Sequence, residues 1–142
     1  MMTPDFAGAR ALAGVHLEWL KSLRDTLSEY HSILMEPAGV PNGDDEAAKT
    51  KAKELERADE RRLSYLGTQL DLLLDQEKKY QQALWQVSDD ILDMDWPRVT
   101  DDEIDKADKR FVAAAREVFD FHQQRIEAEL LGGTVEEEPP AL

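Results

Sequence analysis

The sequence predicts an all-α fold, an elongated three-helix antiparallel bundle or coiled coil with one long central helix. Two observations carry this prediction. From Leu63 to Met94 the apolar residues alternate at spacings of three and four: Leu63, Leu66, Leu70, Leu73, Tyr80, Leu84, Val87, Ile91 and Met94 hold the row, and only Glu77 interrupts it. Rows of the same spacing precede and follow it, separated by short segments rich in Pro, Gly and Asn. A continuous seam of this kind needs other helices laid against it.

The first helix is expected over about 4–35, with Thr3 as cap, Pro4 at the first helical position and Asp5 facing the positive end of the dipole. Its row is Phe6, Ala9, Ala13, His16, Leu20, Leu23, Leu27, Tyr30 and Leu34, widened by Leu12, Trp19 and Ile33. Pro37 ends it, and PAGVPNGD has the residues of a loop.

The central helix is expected over about 44–95, opened by Asp44, Asp45 and Glu46. Between Ala47 and Arg62 its only large hydrophobe is Leu55, so this part is solvated or packs thinly. Gly67 lies inside the seam, where Gly costs about 1 kcal/mol relative to Ala, and so marks a kink or a close helix crossing. A break near Gly67 would give a four-helix bundle instead.

Trp96, Pro97 and Arg98 form the next turn, and Thr100 with Glu103 three residues on has the pattern of a capping box opening a last helix over about 101–131. Its row is Ile104, Ala107, Phe111, Ala114, Val118, Phe121 and Ala128, with Val112, Ala115, Phe119, His122 and Ile126 alongside. Gly132 and Gly133 stop it. Residues 1–131 are thus expected to form a single helical domain, and 132–142 a disordered acidic tail.

Thirty-one acidic residues against seventeen Lys and Arg leave 142 residues with a formal charge of −14. That argues against direct nucleic-acid binding through general electrostatic attraction and for a basic protein partner or a cation. No uncharged stretch approaches the ~20 residues that cross a bilayer, so no membrane role is expected and a cytoplasmic or virion location is. The absence of cysteine excludes disulfides, thiolate metal sites and a Cys nucleophile. The outer helices would overlap only along the middle of a continuous central helix, and the apolar surface left over predicts a homo-oligomer. Antiparallel pairing of two copies would also set the Lys49 to Arg62 half of each central helix against the acidic end of the other.

The stretch from Asp89 to Asp108 holds nine acids against Arg98 and Lys106, a net charge of −7. Asp101, Asp102, Glu103 and Asp105 suit a helix N-terminus. Asp89, Asp90, Asp93 and Asp95 do not, because they fall where the preceding helix ends and its dipole is already negative. The partner-binding residues expected here are Asp89, Asp90, Asp93, Asp95, Trp96, Asp101, Asp102 and Asp105. Asp89, Asp90 and Asp93 are also a candidate site for magnesium or calcium, since Asp89 and Asp93 lie one helical turn apart. The run DDILD is similar to the DDxxD motif that holds magnesium and diphosphate in prenyl-transfer enzymes, but the second motif and the larger barrel of those enzymes have no counterpart in this chain.

The expected function is a non-enzymatic helical interaction or assembly protein: a scaffold, adaptor or structural component that self-associates and presents its acidic hairpin to a basic partner or a cation. One alternative is a small all-α magnesium-dependent nucleotide pyrophosphohydrolase, for which Glu56 with Asp59 and Asp90 with Asp93 supply the carboxylate pairs. Another is an acidic nucleic-acid mimic that occupies a DNA-binding protein. His16 and His122 interrupt apolar rows and are expected to be satisfied core histidines, and a buried pair would make assembly pH-sensitive. No catalytic residue, nucleophilic triad or Gly-rich phosphate loop is found.

Overall fold

The computed structural model describes residues 6–35, 45–95 and 98–141. They form four helices: α1 (Phe6–Met35), α2 (Glu46–Leu73), α3 (Lys79–Leu92) and α4 (Asp101–Leu130). The described chain is all-α, but the central helix is not continuous. It stops at Leu73 and restarts at Lys79, six residues beyond the place where Gly67 allowed a break. The expected Thr3–Pro4–Asp5 start, the loop around Pro37, and Trp96 with Pro97 lie outside the described residues.

Local acceptors and the C-terminal segment explain the interruption. The Asp75 amide donates to Oε1 of Gln81 at 2.8 Å, the Glu77 amide to Oδ1 of Asp75 at 2.9 Å, and the Lys78 amide to the Asp75 carbonyl at 3.1 Å. Three donors that a continuous helix would pair with carbonyls four residues back are thereby taken. The tail then pairs with the opened backbone: the Lys79 amide donates to the Pro139 carbonyl at 2.7 Å and the Ala141 amide to the Glu77 carbonyl at 2.9 Å, an antiparallel bridge between Lys78 and Pro140. Residues 133–141, expected to be a disordered tail, instead run as an extended strap along the start of α3.

Gly67 does not end α2 and admits no close neighbour, since a Cβ built there meets nothing within 4 Å. Replacing Gly67 by Ala is therefore expected to raise the free energy of unfolding by about 0.5–1 kcal/mol, through higher helix propensity alone. Urea denaturation reads this directly, and a loss of stability would show a crossing at that point.

The chain divides into two compact units, Leu23–Leu73 and a second made of Met1–Ser22 with Leu74–Leu142, the first boundary falling inside α1. In the Leu23–Leu73 unit the inward residues of α1 (Leu23, Leu27, Tyr30, Leu34) and of α2 (Ala52, Leu66, Leu70) are buried. Arg62 grips Glu29 with two parallel bonds, Nε to Oε1 at 2.6 Å and Nη2 to Oε2 at 2.8 Å. The pair is solvent-exposed, so it fixes geometry more than it stabilises.

In the other unit α3 packs against α4. Leu84, Val87 and Ile91 of α3 and Ala107, Phe111, Ala114, Val118 and Ile126 of α4 are buried, following the predicted rows. Ala13 and Leu20 of α1 cluster with Ile126, flanked by Trp19 and Phe119. Of the row from Leu63 to Met94, Leu66, Leu70, Leu84, Val87 and Ile91 are buried, and Leu63, Leu73, Tyr80 and Met94 are partly buried.

Both ends of α4 follow the sequence. Oγ1 of Thr100 accepts from the Glu103 amide at 3.2 Å, and its hydroxyl donates to the Glu103 carboxylate at 3.1 Å. At the other end Gly132 takes φ 67°, its amide donating to the Glu129 carbonyl and the Gly133 amide to that of Ala128. That is the Schellman arrangement, in which the left-handed residue is nearly always Gly.

Candidate functional site

The acidic turn sits between the end of α3 and the start of α4. Asp93 caps α3 with its backbone, its amide reaching the Asp89 carbonyl at 3.1 Å, and Asp101, Asp102 and Glu103 occupy the first turn of α4. Asp93, Asp95, Asp101, Asp102 and Asp105 are exposed, and Asp89 and Asp90 are half-buried. Four ion pairs partly offset the charge: Asp90 with Arg110 at 3.4 Å, Asp95 with Arg98 at 3.8 Å, Asp102 with Lys106 at 3.0 Å and Asp105 with Lys109 at 3.0 Å. Among the described residues Asp89, Asp93 and Asp101 carry no ion pair. Trp96, expected to contribute to this surface, lies outside the described residues.

Among the described residues no three His, Asp or Glu are arranged to hold a metal ion, so Asp89, Asp90 and Asp93 form no such group. Of the two carboxylate pairs a pyrophosphohydrolase would combine, Glu56 and Asp59 belong to the Leu23–Leu73 unit, whereas Asp90 and Asp93 belong to the other.

A second cluster is buried where α1, α3, α4 and the strap meet within one unit. It is a chain of hydrogen bonds. Nδ1 of His16 lies 3.3 Å from both carboxylate oxygens of Glu129, Nε2 of His16 lies 2.8 Å from Nδ1 of His122, and Nε2 of His122 lies 2.9 Å from Oε1 of Glu138. Glu138 also accepts from the Gln81 amide and from Nε2 of Gln81, both at 3.4 Å, and Glu129 accepts from Nε of Arg125 at 3.3 Å. The rings of Trp19 and Phe121 close over His122 at 4.8 and 5.2 Å. The side chains of Glu129, His122 and Glu138 are at most 5% exposed, that of His16 14%.

The contacts set a count of protons. Glu129 and Glu138, as carboxylates, only accept, so Nδ1 of His16 and Nε2 of His122 must each carry a proton. The 2.8 Å contact between the rings requires a third. Burial holds the His122 imidazolium below its usual range, against the opposing pull of Glu138 and with the help of His16 and Arg125. The third proton lies in the contact between the rings, where one ring nitrogen donates and the other accepts. Among the described residues no buried side-chain nitrogen or oxygen is left without a partner.

Glu138 does one thing more. The N-cap position of α3, Lys78, makes no side-chain cap bond, and the first-turn amides of Lys79 and Gln81 are met by the strap's Pro139 carbonyl and Glu138 carboxylate. An acid from distant sequence thus stands at the positive end of α3. His16 and His122 were marked in the sequence by their places in apolar rows. Gln81, Glu129 and Glu138 were not, because nothing local distinguishes them from the chain's many other polar residues.

Comparison of the chain with protein-family models, curated proteins and solved structures gives no match.

Proposed function

We propose that the chain is a non-enzymatic helical interaction protein whose α3–α4 turn engages a basic protein surface. One observation carries this. Asp89, Asp90, Asp93 and Asp95 sit at the C-terminal end of α3, where the helix dipole already repels negative charge, and within this set only Asp90 and Asp95 have cationic partners among the described residues. Carboxylates at such a place lower local stability. Their use is outward: a dense negative patch speeds encounter with a positive partner and sets its orientation.

A fluorescent octalysine peptide tests the proposal against the full chain and against D89N/D90N/D93N/D95N. The wild-type protein should bind with an affinity that falls as salt rises, and the variant should bind at least about tenfold more weakly, a difference of about 1.4 kcal/mol. Equal binding by the two proteins, or none by either, would contradict it. Light scattering on the same samples reads the number of copies.

A further inference from the structure

We propose that the Glu129–His16–His122–Glu138 chain is a pH-sensitive latch, which holds the N-terminal part of α1 on α4 near neutral pH and releases it on acidification while the strap stays in place. This does not rest on the acidic turn. It follows from the geometry of the two rings.

With three protons all three hydrogen bonds are made. A fourth can enter only at whichever nitrogen accepts in the His16–His122 contact. Nε2–H of His16 would then point at Nδ1–H of His122 across 2.8 Å, and the rings must part. Trp19, which leans on both rings at 5.8 and 4.8 Å, parts with them. The contact with Glu138 behaves oppositely. A doubly protonated His122 still donates from Nε2, now as a cation to a carboxylate, so the strap is held at least as firmly until Glu138 itself is protonated.

The charged groups facing the pair are few. From α4 come Arg125 and Glu129, and from the strap Glu138, with Glu137 reaching Arg125 at 3.8 Å and Lys78, ahead of α3, at 3.5 Å. α3 itself contributes the uncharged Gln81. Because burial depresses the His122 value in the folded chain, the contribution of His122 is complete above the ordinary histidine value of 6.5 and is lost as pH falls through the lower folded value.

Amide hydrogen exchange on the full chain between pH 7.5 and 5, corrected for intrinsic rates, tests both the opening and its order. Opening at residues 14–20 should increase up to about tenfold per pH unit below about 6.5. The Lys79 and Ala141 amides, which bond the strap, should keep their protection over the same range. In His122→Gln, which can donate to Glu138 and accept from His16 without titrating, residues 14–20 should show no such pH dependence. Should that variant not fold, imidazole nitrogen NMR of the unaltered protein decides: Nε2 of His16 and Nδ1 of His122 should share a single proton while the contact holds, and both should be protonated once residues 14–20 open. PH-independent protection of residues 14–20, loss of the strap amides first, or two histidines titrating as isolated groups would each overturn the proposal.

Discussion

Replacing Glu138 by Ala is expected to lower the free energy of unfolding by about 2–4 kcal/mol, far more than a residue in an acidic tail would suggest. The carboxylate accepts from Nε2 of His122, from the Gln81 side chain and from the Gln81 amide, and the side chain is 1% exposed. Truncation strands these donors in a place water reaches poorly, and it also removes the carboxylate that accepts from the first-turn amide of Gln81 in α3. Urea denaturation of the full chain measures the loss. A change below about 0.5 kcal/mol, the size of an ordinary surface substitution, would show that the strap is not docked in solution.

Leu84→Ala should cost a similar amount, about 2–5 kcal/mol, by the separate route of an unfilled cavity. Leu84 is fully buried on α3, the helix that packs on α4. Leu72→Ala provides the control: this leucine is 83% exposed on α2, and its truncation should move stability by no more than about 0.5 kcal/mol. Equal losses at the two positions in the same urea experiment would mean that Leu72 is covered by something, a second copy first among the candidates.

Much of this fold was legible in the sequence because helix rows are local. The spacing of Leu84, Val87 and Ile91 identifies a buried face without reference to any partner, and Thr100, Glu103 and Gly132 mark the ends of α4 by chemistry within a few residues. The interruption of the central helix was visible but ambiguous. Glu77 is the single polar residue in its row, and the helix opens there, yet Leu73 and Tyr80 stay in register across the gap, one heptad apart. A row that keeps its phase hides a break. Gly67, the more conventional warning, lies within α2, which runs on to Leu73.

The buried relay was half legible for the same reason. His16 and His122 stand out because they are polar residues in apolar rows. Their partners come from 113 positions away in the case of Glu129, and from a strap whose two prolines suggest only extended backbone in the case of Glu138. No spacing rule connects a histidine to an acid across such separations. The capping of α3 by Glu138 is non-local too, and so a stretch that reads as free tail proves to hold a helix start.

The functional claim turns on whether Asp89, Asp90, Asp93 and Asp95 serve the fold or something outside it. The most direct measurement is the urea unfolding midpoint of D89N/D90N/D93N/D95N beside that of the wild-type chain. Carboxylates placed against the dipole of α3 for a partner's benefit predict a midpoint unchanged or raised, because the dipole repulsion removed outweighs the exposed pairs of Asp90 with Arg110 and Asp95 with Arg98. A clearly lowered midpoint would show that the four acids hold the turn together, and would contradict the assignment of this surface to binding.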